Sequence, residues 1–141
     1  MTPKQFDDEF FNEIKIVQKI IERMARNSFM IKGWTITLVV IALLVDGSPV
    51  HNIVAFLPWL VFWILDAYFL RLERCYRKLY EWLIENRPEN RELMYDMKAE
   101  SRFGKNVEGI IGTMLSKTLA PFYLTILVLI IIISYAATHT T

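Results

Sequence analysis

The sequence predicts an all-α integral membrane protein with three transmembrane helices, an N-terminal amphipathic helix and a cytoplasmic helical segment between spans two and three. Three observations carry that reading. Residues 118–138 form 21 consecutive uncharged positions, and about 20 apolar residues cross a bilayer as a helix. Residues 71–117 are the opposite, with 18 of 47 positions charged, ten basic and eight acidic. The overall values, 54% hydrophobic and 22% charged with a net charge of +1, average over these two kinds of segment. A chain of 141 residues allows one domain, and a soluble core of that size needs no such uncharged run.

The elements divide as 1–28, 29–70, 71–117, 118–138 and 139–141. Thr2-Pro3-Lys4-Gln5 reads as a capping box with proline in the first helical position. Apolar residues then recur at Phe6, Phe10, Ile14, Val17, Ile21 and Met24, a single seam that must lie on the membrane, pack on other helices or pair with copies of itself. Ten charges in the first 28 residues exclude a signal peptide there. Residues 33–45 are uncharged but short, and reach membrane length if 29–31 join them and Lys32 snorkels toward headgroups. Asp46-Gly47-Ser48-Pro49 is a turn that returns the chain as an antiparallel hairpin. The second span, 50–70, is broken only by Asp66. It continues as a stripe of Leu72, Tyr76, Leu79 and Leu83 until Pro88. A further helix is expected over 89–102, a turn at 103–106, a short interfacial helix over 107–115, and Pro121 opening or kinking the third span.

Basic residues set the orientation. Lys4, Lys15, Lys19, Arg23, Arg26 and Lys32 lie before the hairpin and ten Lys or Arg lie between spans two and three. The hairpin turn and the tail after 138 have none. The N-terminus is therefore expected in the cytoplasm and the C-terminus outside.

Catalysis finds no support. His51 and His139 are expected on the outer side, far from Cys75, and the chain lacks a phosphate-binding loop, a GxSxG and an HExxH motif. A single cysteine excludes an intrachain disulfide and a cysteine-based zinc site. No cofactor and no metal are expected.

Three groups of residues stand out. An acid within an apolar span is costly and marks a site by default. A hairpin turning near Ser48 and Pro49 pairs positions whose numbers sum to about 98, so Lys32 and Asp66 fall at one depth as an intramembrane ion pair. Its plainer role is structural, letting a short first span enter the bilayer. Its functional one is an ion-attracting ring in an assembly. Arg71, Arg74, Arg77 and Lys78, followed by Arg91, Lys98, Arg102 and Lys105, combine with Tyr76 and Tyr80 as a surface suited to phosphates and stacked bases. Of these, Arg71, Arg74, Arg77, Lys78, Arg102 and Lys105 are the ligand-binding candidates, although basic residues flank any membrane helix on the inner side. On the third span, Thr118, Phe122, Thr125, Leu129 and Ile132 share one face as candidate pore-lining residues of a narrow, largely apolar pore. The alternative is a lipid-facing anchor whose hydroxyls bond their own backbone.

The segments 31–34, 62–68 and 72–80, with Asp66 inside an aromatic run and Leu72-Glu73-Arg74-Cys75-Tyr76-Arg77-Lys78 after it, resemble the SLATT-type membrane effectors of bacterial nucleotide-signal defence systems. The third span makes the layout similar to the channel subunit of the Hailong anti-phage system. The resemblance implies a homo-oligomeric, tetrameric assembly in the bacterial inner membrane, a ligand-gated ion channel that depolarises it. It further implies control by a nucleotide or oligonucleotide made by a partner nucleotidyltransferase. The rival expectation is a non-conducting accessory or scaffold subunit of a larger membrane complex.

Overall fold

The computed structural model describes residues 3–45, 53–86 and 94–139, and every regular element among them is helical. The elements are α1 (Pro3–Leu44), α2 (Phe56–Asn86), the short α3 (Ala99–Phe103) with a 3-10 turn at Gly104–Asn106, α4 (Ile110–Met114) and α5 (Ala120–His139). Two of them, α1 and α5, are long and apolar enough to cross a membrane. In α2, Asp66, Arg71 and Glu73 interrupt the apolar stretch.

The first surprise is continuity. The N-terminal segment and the first apolar stretch form one 42-residue helix with no break between them, about 63 Å at 1.5 Å per residue. No proline or glycine intervenes before Gly33, and the buried positions Phe6, Glu13, Val17, Met24, Ser28, Ile31, Thr35 and Val39 follow one another in steps of three, four and seven. That spacing keeps a single stripe facing a neighbouring helix along the whole length.

The neighbour is α2, which packs antiparallel against it. Lys32 meets Asp66, and Gln18 Nε2 donates to the Tyr80 hydroxyl at 3.4 Å. Val39 and Trp59 share a cluster near the other end. All three pairs have numbers summing to 98, so the register expected from the turn holds over more than 20 residues of α1. The turn itself, and Thr2 of the expected capping box, lie outside the described residues.

Three apolar clusters stack along the hairpin. At the charged end Val17 packs with Cys75, Leu79, Leu83 and Ala99. In the middle Trp63 and Ala67 pack with Leu119 and Tyr123, and at the far end Val39 and Ala55 pack with Ile126 and Ile130. The N-terminal seam thus finds its partner in α2 at Val17.

The connecting segment corrects the expectation of a helix over 89–102. Its first part, with Pro88 and Arg91, is outside the described residues. Of the rest only Ala99–Phe103 is helical, preceded by a turn at Met94 and Tyr95. Tyr95 has φ 62°, a left-handed conformation that no helix accepts. Its N–H donates to Oε1 of the buried Glu13 at 2.9 Å, and that bond offsets the backbone strain. The interfacial helix shortens to Ile110–Met114, and Pro121 sits in the first turn of α5, where its missing N–H costs nothing.

Candidate functional site: a buried polar node where three helices meet

Asp66 is fully buried, and Lys32 reaches it with Nζ 2.7 Å from Oδ2, its own side chain 23% exposed. Two residues that the sequence reading missed complete the group. The Ser28 hydroxyl donates to Asp66 Oδ1 and itself accepts from Lys32 Nζ at 2.9 Å. The Tyr123 hydroxyl lies 3.0 Å from Asp66 Oδ2 and 3.2 Å from the Phe62 carbonyl oxygen. Both carboxylate oxygens are therefore satisfied, as a buried acid requires.

Each partner arrives by simple geometry. Ser28 and Lys32 are four residues apart and share the α1 stripe. Asp66 is brought to their depth by the antiparallel register. Tyr123 is buried in the first turns of α5, stacked on Trp63 with ring centroids 5.6 Å apart and 10° between planes. Trp59 Nε1 donates to the Tyr123 carbonyl at 2.8 Å, and Trp63 Nε1 donates to Met114 O at 3.1 Å. Phe122 lies beside the node, with Lys32 Nζ 5.9 Å from its ring centre. The signals were present: a serine one turn before Lys32, and a lone phenol ahead of an aliphatic run.

The expected ligand-binding residues form no continuous free patch. Arg71 Nη1 pairs with Glu100 at 2.7 Å while its Nη2 donates to Gly104 O at 3.2 Å. Arg74 pairs with Glu108 at 3.2 Å. Arg77 binds Glu73 through Nε and Nη2 at 2.9 and 2.7 Å, and Lys78 binds Glu81 at 2.8 Å, which raises the Lys78 pKa above the ordinary lysine range. Arg102 lies on the Trp82 ring, 4.3 Å from its centre. Of the six candidates, Lys105 alone makes no such contact among the described residues. Lys98 is exposed, its N–H held by Asp96. Tyr76 donates to Met97 O at 3.1 Å, and Tyr80 is half-buried against Val17's cluster.

Nor does the expected pore face stay together within the chain. Phe122, Thr125 and Leu129 line an apolar groove of about 350 Å³ between α1 and α5, facing Ile36, Val39 and Leu43. Thr118 lines a separate cavity beside Arg74, and Ile132 is exposed outside both. The Thr125 hydroxyl donates to Pro121 O at 2.7 Å, as a hydroxyl in an apolar helix does.

Comparison with protein-family models, with curated proteins and with solved structures finds no match. The class of protein is defined by the fold alone: a helical chain with two helices able to cross a membrane and a third joined to one by an ion pair and to the other by a hydrogen bond, both at Asp66.

Proposed function

We propose that the protein is a subunit of a homo-oligomeric, ligand-gated ion channel of the bacterial inner membrane, an anti-phage effector that depolarises it under control of a nucleotide-derived signal. In this reading α1, α2 and α5 each cross the bilayer, with the N-terminus cytoplasmic and the C-terminus outside. The observation that carries the three-span part is the node. Lys32, Asp66 and Tyr123 come from three different helices, and a carboxylate buried at that level is retained where its partners come with it. The charge-interrupted α2 then crosses with its one early acid already paired.

Three helices cannot enclose a pore, so conduction requires assembly, with a tetramer favoured by the family resemblance. The exposed apolar faces support it: Leu129, Ile132, Val128 and Ile36 are each about half exposed in the single chain. The test is planar-bilayer recording of the purified protein, with and without nucleotide oligomers, beside light scattering in detergent. Current that responds to the oligomer supports the reading. A monomer across a wide concentration range, with no current, removes it.

One observation favours the second reading, a non-conducting accessory subunit. The basic residues of α2 are each held by a carboxylate of the same chain, so a nucleotide would have to displace those partners. In that reading the charged helices dock a protein. Co-purification of a larger membrane protein, with no current from either preparation, would identify it.

A further inference from the structure

We propose that the cavity at the foot of α5 is a binding site for a phosphate group. The cavity holds about 550 Å³ and is lined by Arg74, Glu108, Gly112, Ser116, Lys117 and Thr118 among others, within the size range of small-ligand sites. Several donors along it lack a partner among the described residues, Lys117 and Thr118 at its exposed side. The Ser116 hydroxyl is buried and has no hydrogen-bond partner, whereas buried hydroxyls are nearly always satisfied. Neither the Lys117 ammonium nor the Thr118 hydroxyl makes a hydrogen bond or ion pair among the described residues. Among the described residues the backbone N–H groups of Lys117 and Thr118 also donate to no backbone carbonyl, while those of Leu119 and Ala120 both donate to Ser116 O. These groups stand immediately ahead of the 20-residue helix α5, at its positive dipole end. A guanidinium, an ammonium and a hydroxyl along one open cavity, with the unpartnered Ser116 in its wall, are the kind of donor set that a tetrahedral oxyanion uses.

Glu108 is the one opposing charge. It pairs with Arg74 at 3.2 Å, yet its side chain is 64% exposed and the pair is of the surface kind that holds little. With Arg74 and Lys117 against Glu108 the site keeps one net positive charge. A phosphate entering it displaces Glu108 into water and takes over Arg74.

Two sources carry that chemistry, an anionic lipid headgroup and a soluble phosphate. The surroundings suit the lipid. Lys117 directly precedes the uncharged stretch 118–138, and Ile111 and Leu115 beside the cavity are 74% and 65% exposed, which gives acyl chains an apolar flank. The site requires no ion conduction, so it stands or falls separately from the channel.

The experiment is native mass spectrometry of the full chain in detergent, with phosphatidylglycerol, phosphatidylcholine or inorganic phosphate added in separate arms. Phosphatidylglycerol should be retained over phosphatidylcholine, and R74Q/K117Q should weaken retention about tenfold, the effect expected of lost charge-assisted hydrogen bonds. S116A should weaken it less. E108Q should strengthen it several-fold, a gain that a misfolded variant cannot imitate, and K117R should behave as wild type. Inorganic phosphate that competes while phosphatidylglycerol is ignored assigns the same site to a soluble ligand. Equal retention of both lipids with no response to phosphate, or an R74Q/K117Q variant that binds like wild type, overturns the proposal.

Discussion

At Asp66 a carboxylate with no exposure is gripped by a lysine, a serine and a tyrosine from two other helices. Some ten residues further along the same helix, from Arg71 to Glu81, four ion pairs lie mostly in contact with solvent. Both regions are polar and both join α2 to its neighbours, the second through Arg71–Glu100 and Arg74–Glu108 while its other two pairs stay within α2, but they obey different physics. Around Asp66 no water replaces a lost partner, so each deletion leaves a buried group unsatisfied. At the charged end water replaces an exposed partner at once, and those pairs contribute little, the buried Glu73 being the exception. The node therefore fixes how the helices sit, and the charged end remains free to exchange its internal partners for an external one.

The largest effect that tests this contrast is expected at the node. Asp66→Ala strands Lys32, and breaking a buried pair costs about 3–5 kcal/mol, less here because Lys32 is partly exposed. Lys32→Ala combined with Asp66→Ala should recover part of that loss in denaturant or thermal unfolding in detergent. A double mutant whose loss is the plain sum of the singles would falsify the coupling. Next comes Tyr123→Phe, which removes the hydroxyl that joins α5 to Asp66 and Phe62 and should cost about 1–3 kcal/mol. If it unfolds like wild type, α5 is held by its apolar contacts alone.

At the charged end Glu100→Gln should shift stability by at most about 1 kcal/mol. Salt sharpens the same point: at 1 M the Debye length falls to about 3 Å, so hydrogen exchange should quicken around residues 99–108 and stay unchanged around Asp66. Equal acceleration in both regions would erase the distinction. The smallest effect concerns Cys75. Burial against α1 pushes its thiol pKa up, with Arg71 only partly opposing. A raised pKa means less thiolate at a given pH in the folded chain than in the unfolded one. Maleimide labelling between pH 7 and 9 should lag a free cysteine and catch up only on unfolding, and the folded stability should begin to fall as pH rises past the unfolded thiol's pKa. Folded-state labelling as fast as free thiol would show an open α1–α2 interface.

Much of this was legible in the residues. The register of the hairpin followed from the Asp46–Pro49 turn and predicted the Lys32–Asp66 pair, because antiparallel helices advance by equal rises in opposite directions. Ser28 and Tyr123 are harder to read, since opposite charges pair visibly in a sequence and a neutral hydroxyl announces itself only when a buried acid needs it. Glu13 is hidden for the converse reason: one charge among ten in the first 28 residues, it occupies the stripe between Phe6 and Val17 and accepts from the Tyr95 N–H. The basic surface of α2 is neutralised within the chain. The four-residue spacing of Glu73 and Arg77 already marks their pair, but composition does not reveal that Glu100 and Glu108 fold back onto Arg71 and Arg74.

The unbroken α1 has a mechanical consequence. From Pro3 to Lys32 the helix runs about 43 Å and from Lys32 to Leu44 about 18 Å, at 1.5 Å per residue. The Lys32–Asp66 contact is a firm hold on this rod, and about that point its arms stand in a ratio of roughly 2.4 by the same rise, so that once the packing of Val17 on α2 opens the rod acts as a lever. A partner that pushed the N-terminal arm sideways by a few ångströms would move the short arm the opposite way by less than half as much, but with more than twice the force. Work done at the wet end would then arrive at the apolar end as a small, strong displacement of Val39 and Leu43 against α5.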